Sequence, residues 1–238
     1  MSKDGRIWLS HTGIESLNRC PRCFWLQYKK DIRQPEGIVS RLANRFDVVM
    51  KGYFNQFREK NTLPPLIQGK ISGRLQNPFQ EKYFVTLNDS YGFLGKLDEC
   101  IVTESGEYIP VDFKTSSSDP RNRETLSAYQ SQIDDYLFVM QQNGRSIGNF
   151  GYLIYIYPED GVDLHNQFPM VIHVAKLSGD PQKTSKRIKD AIEVLEHPMP
   201  SSSPSCPFCN WYDSMKILLE NSRNEEKSVQ QNLLDDIA

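Results

Sequence analysis

The sequence predicts an α/β protein, a mixed β-sheet flanked by helices. Three observations carry this. Apolar residues repeat at helical spacing up to about Glu59, then switch to strand spacing over "KYFVTLN", "YGFLGKLDECIVT" and "EYIPVDFKT". Beyond that the two patterns alternate, so the order is helices, three strands, helix, two strands, helix. Two CxxC pairs, "CPRC" at Cys20 and Cys23 and "CPFC" at Cys206 and Cys209, bracket the predicted strands. The N- and C-terminal helical segments are therefore expected to be joined by a four-thiolate metal site.

The elements follow in order. "SHTGIESLNRC" opens a helix, with Thr12 and Glu15 at capping-box spacing and Ile14 and Leu17 on one face. "FWLQYKK" continues it beyond the CPRC turn. A longer helix is predicted from Val39 to Glu59, where Leu42, Phe46, Val49, Tyr53 and Phe57 form a narrow apolar stripe. "NTLPPLIQGK" ends it. "NDSYG" and "ESGE" mark the turns between the three strands. A helix follows over Glu124–Gln142, then strands at "NFGYLIYIYP" and "MVIHVAKL". "DPQKTSKRIKDAIEVLEH" reads as a helix with Ile188, Ile192 and Leu195 on its face. "PMPSSSPS" is a loop, and a short helix spans Trp211–Glu220. The polar tail "NSRNEEKSVQQNLLDDIA" is expected to be disordered. In domain terms, residues 1–75 are a basic helical segment with the first CxxC and 76–200 the core. Residues 201–220 carry the second CxxC, and 221–238 are the tail. No internal repeat is visible.

With 238 residues, 38% of them hydrophobic, the chain can bury a substantial core. Its start, "MSKDGRIWLSHTG", has no apolar run, and no stretch approaches the roughly 20 apolar residues of a membrane span. A cytoplasmic protein without membrane contact is expected, and in that compartment thiols serve as metal ligands before they serve as disulfides. The net charge of −2 hides an asymmetry. Residues 1–75 hold 14 Lys+Arg against 6 Asp+Glu, a net of +8, and the rest hold 14 against 24, a net of −10. A basic N-terminal third suits a polyanionic partner, or is a solvated lysine- and arginine-rich face.

The chemistry concentrates in "GKLDECIVTESGEYIPVDFKTSSS". Asp112 and Lys114 are two apart on one strand and so project from the same face. Asp98, read as lying on the preceding strand, falls beside them if the two strands pair through "ESGE". Two carboxylates and an ammonium at one sheet edge make a site for a hard cation such as Mg²⁺ or Mn²⁺. Such an ion neutralises phosphate charge and lowers the pKa of a bound water, while the lysine orients that water or steadies developing charge. The plainer reading is two strand-end acids in ordinary ion pairs. The apolar flanks "FLGKLD" and "IPVDF" argue against it, because a buried carboxylate needs a partner.

These residues resemble a known signature. "GKLD…IPVDFKT" is similar to the active-site motif of the PD-(D/E)XK nuclease superfamily, in its RecB-type branch. The resemblance covers residues 10–215 and implies a restriction-endonuclease-like fold. It implies that Asp98 and Asp112 are ligands of Mg²⁺ or Mn²⁺, joined by the Phe113 carbonyl, and that Lys114 is catalytic. It also implies that Gln132 and Tyr136, in "QSQIDDYLFVM", lie beside the active site and contact DNA. The activity implied is metal-dependent hydrolysis of DNA phosphodiesters, as an exonuclease in repair, recombination or defence. Any helicase or repair subunit would be a separate partner. One element departs. The branch carries a histidine or glutamate on the preceding helix, and here the candidate is Asp47, for which Lys51 is a rival partner. His11, His165, His173 and His197 show no ligand spacing and read as structural or surface residues.

Some RecB-type nucleases carry a [4Fe–4S] cluster on one cysteine before the nuclease motifs and three after. Here Cys20, Cys23, Cys206 and Cys209 split two and two. That spacing suits tetrahedral Zn²⁺ equally well, so cluster and zinc both stay open. Either would close a loop around the core, with an entropic benefit that grows with the chain enclosed. Cys100 reads as a small buried apolar residue. Arg19, Arg22, Lys29 and Lys30, with Trp25 and Tyr28, are candidates for a DNA-binding groove, or form a solvated helix face. The competing classes are a non-catalytic nucleic-acid-binding module that keeps the fold and an electron-transfer protein. Neither needs the lysine of the Asp-x-Lys motif.

Overall fold

The computed structural model describes residues 5–35, 39–121, 129–161, 163 and 166–235. His165 and the expected start of a helix at Glu124 lie outside the described residues. The chain divides into two units, one of Met1–Ile14 with Pro35–Ile192 and one of Glu15–Gln34 with Glu193–Ala238. The fold is mixed α/β, a multistranded sheet flanked by helices, with the four terminal cysteines in one cluster.

Among the described residues there are eight strands, all in the larger unit. They are β1 (Ile7–Ser10), β2 (Arg74–Leu75), β3 (Lys82–Thr86), β4 (Tyr91–Lys96), β5 (Glu99–Val102), β6 (Tyr108–Thr115), β7 (Phe150–Pro158) and β8 (Met170–Ser178). They form two sheets, ordered β1-β4-β3 and β2-β5-β6-β7-β8. β6 runs parallel to β7, and the other pairs of the larger sheet are antiparallel.

This corrects one expectation. "YGFLGKLDECIVT" is two strands and not one, because the chain leaves β4 at Lys96 and enters β5 at Glu99 in the other sheet. Leu97 and Asp98 make the step, fixed by the Leu97 N–H bond to the Glu81 carbonyl and by burial of the Leu97 side chain. Asp98 is therefore at a bend between sheets and not on a strand. No proline or turn dipeptide marks the break; partner strands on either side impose it.

Helix α3 (Val39–Arg58) covers one face of the larger sheet; the first two helices are α1 (His11–Arg19) and α2 (Pro21–Lys30). Met50 and Phe54 of α3 pack into a core with Ile109 and Val111 of β6 and Ile154 and Ile156 of β7. The predicted stripe is correspondingly rotated. Leu42 and Val49 are exposed, whereas Met50 and Phe54 are buried and Phe46, Tyr53 and Phe57 partly so. At 3.6 residues per turn the buried face turns by roughly 40° toward Asp47, Lys51 and Arg58.

Helix α4 (Gln130–Gln142) contacts strands of both sheets. Its residues from Ile133 to Met140 are buried without a break, as expected of a central helix with no solvent face. Glycines permit the approach. A Cβ at Gly95 of β4 would lie 2.5 Å from Val139, and one at Gly151 of β7 would lie 2.7 Å from Ile133.

Two helix ends also differ. The N-cap of α1 is Ser10, whose Oγ accepts the Gly13 N–H, and not Thr12. β1 delivers the chain directly into the helix, two residues earlier than the capping-box spacing indicates. The smaller unit holds α2, whose first residue is Pro21, and α6 (Pro207–Asp235); α5 (Pro181–Glu196) runs up to and across the division. α6 extends well past Glu220, so the tail expected to be disordered is helical as far as Asp235. Its Glu, Lys, Gln and Leu content favours helix, and no Gly or Pro interrupts it. Among the described residues, no helix is long and apolar enough to cross a membrane.

Candidate functional site

Alternation along β6 sends Ile109 and Val111 into the α3 core and Asp112 and Lys114 to the α4 face. Asp112 is buried to 1% exposure. Its Oδ1 accepts hydrogen bonds from Gln132 Nε2 at 2.8 Å and from the Tyr136 hydroxyl at 2.9 Å. Lys114 Nζ stands 2.5 Å from Oδ2, a charge-assisted contact that partners this oxygen. The ammonium also donates to Gln132 Oε1 at 2.7 Å and lies over the Tyr129 ring, 4.5 Å from the centroid. Asp112 Oδ2 is thus a buried carboxylate oxygen whose partner is the Lys114 ammonium. Burial pushes the Asp112 pKa up to about 6; Lys114 pulls it down and Asp98 adds to the rise. Tyr136 is held well above its ordinary value by burial and by Asp112, so it remains a hydrogen-bond donor.

Asp98 joins this group through the backbone. Its Oδ2 accepts the Phe113 N–H at 3.1 Å, within one peptide of Asp112, and its Oδ1 pairs with Lys51 Nζ at 2.8 Å. Phe113 contributes that N–H and a ring packed on Phe54 at 5.0 Å. Lys51 also bonds Asp47 Oδ2 at 2.9 Å. The two readings of Asp47 therefore meet: it pairs with Lys51, and the same ammonium links it to Asp98. Asp47 Oδ1 is buried and lacks a hydrogen-bond partner.

Helix α3 holds this bend with two cations. Lys51 and Arg58, seven residues and two turns apart, share a face and take the successive acids Asp98 and Glu99. Arg58 forms a two-pronged pair with Glu99, at 2.8 and 3.2 Å, and also donates to the Gln76 carbonyl. Burial raises the Glu99 pKa while Arg58 opposes the rise.

On the other side α4 is anchored by two buried acids whose importance the sequence does not advertise. Asp135 accepts from His11 and Thr184 at 2.8 Å and from Arg187 at 2.5 Å, and Asp134 accepts the Asp180 N–H at 2.8 Å. His11 is thus a structural anchor. It also lines a pocket of about 230 Å³ with Thr12, Lys96, Gln132 and Tyr136. His173 stacks on Tyr155, and His197 Nδ1 lies 2.8 Å from the Glu193 carbonyl. Cys100 is buried, its thiol pushed up to about 12 by burial, which leaves it inert.

Sequence reading missed Tyr129 and Tyr155. Tyr155 sits beside Lys114 in the parallel register, and its hydroxyl is buried without a partner. The alternation in "YLIYIYP" was the available signal, but only the pairing of β6 with β7 relates it to Lys114.

In the smaller unit the four cysteine sulfurs all lie within 4.8 Å of one another. The nearest pairs are Cys23–Cys209 at 3.5 Å, Cys23–Cys206 at 3.7 Å and Cys20–Cys209 at 3.8 Å, well beyond a disulfide bond of about 2.05 Å. All five cysteines of the chain are free. Burial works to raise the Cys20 thiol, yet N–H groups of Cys23 and Ser203 hold it down at about 7. This donor set fits a thiophilic metal ion. Among the described residues it is the one group that brings three or more His, Cys, Asp or Glu ligand atoms within reach of a single ion. Asp47, Asp98 and Asp112 do not converge in that way, because Lys51 stands between two of them. Asp98 and Asp112 are each paired with a lysine ammonium, and Asp47 Oδ1 is buried without a hydrogen-bond partner.

Of the basic candidates, Arg22 is committed to Asp213, at 3.1 and 3.3 Å. Lys30 lies 5.9 Å from the Trp25 ring centroid, and Trp25 Nε1 donates to the His197 carbonyl. Tyr28 packs against Phe24 at 5.0 Å. Arg19 is exposed and Lys29 half-buried, both on this same pair of helices.

No family model matches the chain. Among solved structures it has a distant likeness to SSO0001, with 18% identity and a TM-score of 0.48 over 84% of this chain and 81% of that one. It also resembles a phage-related exonuclease from Haemophilus somnus 129PT, with 13% identity and a TM-score of 0.40 over 74% and 77%. Neither likeness carries a role across to this chain.

Proposed function

We propose that this chain is a divalent-metal-dependent DNA nuclease of the PD-(D/E)XK, RecB-like type, acting as an exonuclease. The observation that carries the reading is Asp112. It is a buried carboxylate with one oxygen clamped by Tyr136 and Gln132 and the other paired with the Lys114 ammonium, with Asp98 one peptide away. Residues 76–200 form the catalytic core in this reading, between the basic segment 1–75 and the CxxC segment 201–220.

Asp98 and Asp112 would hold Mg²⁺ or Mn²⁺, with Asp47 joining if Lys51 withdraws. Bound there, the ion supplies a water of lowered pKa and neutralises phosphate charge. The chain's own residues do the rest. Gln132 accepts from Lys114 and donates to Asp112, which fixes both in one orientation. Lys114 then presents an ammonium to the attacking water or to the charge developing on phosphorus. Tyr136 keeps its proton and holds Asp112 Oδ1, so Oδ2, now paired with Lys114, would be the oxygen offered to an ion. Arg19, Lys29 and Lys30 would contribute to holding the DNA backbone.

A second reading, a nucleic-acid-binding module that keeps the fold without catalysis, has one observation in its favour. Ammonium groups neutralise both carboxylates from within the protein. One experiment separates the two. End-labelled single- and double-stranded DNA is incubated with Mg²⁺, Mn²⁺ or EDTA. Cleavage should need the metal, and Lys114→Ala should lower it about 100-fold or more. Binding without cleavage by the wild type supports the module. Cleavage in EDTA at the Mg²⁺ rate removes the metal mechanism.

A further inference from the structure

We infer that Cys20, Cys23, Cys206 and Cys209 hold a single tetrahedral zinc ion and not the four-iron cluster that the family resemblance implies. The argument is the spacing of the sulfurs. Four thiolates at about 2.3 Å from one Zn²⁺ in a tetrahedron lie about 3.8 Å from each other. The observed contacts are 3.5, 3.7 and 3.8 Å, and no pair exceeds 4.8 Å. In a cubane each cysteine binds a different iron from outside the cube, which spreads the sulfurs to about 6 Å. Every pair here is too close for that.

The backbone explains why the spacing is built in. Both halves use the same device, with a cysteine just before a helix, proline as its first residue and the second cysteine as its third. Proline presets the helical φ at that position. Each pair of thiols is thus folded onto a helix N-terminus, where the positive end of the helix dipole favours thiolate. The Ser203 N–H donates to Cys20 Sγ, and Arg22 lies beside Cys209. These donors offset part of the net charge of −2 left when four thiolates meet Zn²⁺. The ion is redox-inert, so its role is structural. In the smaller unit the cysteines themselves form a buried cluster, three of them at 1, 4 and 5% exposure. They draw together segments from opposite ends of the chain, Glu15–Gln34 and Glu193–Ala238.

The test uses the whole chain, purified anaerobically so that no cluster is lost. Metal and acid-labile sulfide are quantified, and the ion is exchanged for Co²⁺. The expected result is a colourless protein with one zinc per chain and no sulfide. Its Co²⁺ form should absorb between about 600 and 750 nm, as tetrahedral thiolate coordination requires. Cys209→Ala should bind zinc at least about 100-fold more weakly. Four irons with sulfide and a brown band near about 400 nm would overturn the inference. So would one iron per chain, or protein that neither carries nor takes up zinc. None of these outcomes depends on whether the acidic site cleaves DNA.

Discussion

Replacing Asp112 by Asn should stabilise the metal-free protein at neutral pH while abolishing nuclease activity. Asp112 is buried, and its pKa is raised from an ordinary 3.8 to about 6. Because the folded-state value is the higher one, ionising this carboxyl works against folding. The cost vanishes only well below pH 3.8, where the group is protonated in both states, is already small at pH 4, and appears in full above about pH 6. The shift corresponds to about 3 kcal/mol at pH 7. Asparagine removes that charge and keeps Oδ1 for Tyr136 and Gln132. It also turns an amide toward Lys114, a donor facing a donor, which takes back about 1 kcal/mol. The net expectation is about 2 kcal/mol of added stability at pH 7 and none at pH 4. Urea unfolding in EDTA at the two pH values measures it. With Mg²⁺ present the order should narrow or reverse, since only the wild type gains from the bound ion. An Asn variant no more stable than wild type at pH 7, or equally stabilised at pH 4, would refute the account of Asp112 as a strained, metal-awaiting carboxylate.

Two further perturbations test the surrounding charges. Lys51→Ala removes the ammonium shared by Asp47 and Asp98, and should tighten Mn²⁺ binding about tenfold by calorimetry; unchanged or weaker binding would show that Lys51 does not stand where a cation belongs. Arg58→Met leaves Glu99 buried at 1% exposure without its partner, and should cost about 3–5 kcal/mol in urea unfolding. The double variant with Glu99→Leu should recover most of that loss, and a single-variant cost under about 1 kcal/mol would mean that the pair holds nothing in place.

The α/β class, the alternation of the longer helices and strands and the convergence of the four cysteines were legible in the chain itself, whereas the short strands β1 and β2 were not. Each of the three legible features depends on local periodicity or on residue chemistry that only one kind of site satisfies. Asp112 and Lys114 share a face for the same reason, since a strand's period of two is local. Other features needed partners distant in sequence. The run "YGFLGKLDECIVT" looks continuous, and only its pairing with β1 and β3 on one side and β2 and β6 on the other breaks it at Asp98. The apolar stripe of α3 was placed about one-ninth of a turn off, because Leu42 and Val49 are as hydrophobic as Met50 and Phe54, and the sheet chooses which of them to bury. That rotation brings Lys51 and Arg58 onto Asp98 and Glu99. Tyr155 enters the neighbourhood of Lys114 through strand register alone. The choice between zinc and a cluster was likewise open in CxxC spacing, which counts residues along the chain. It turns on distances between sulfurs contributed by opposite ends of the chain, and packing sets those.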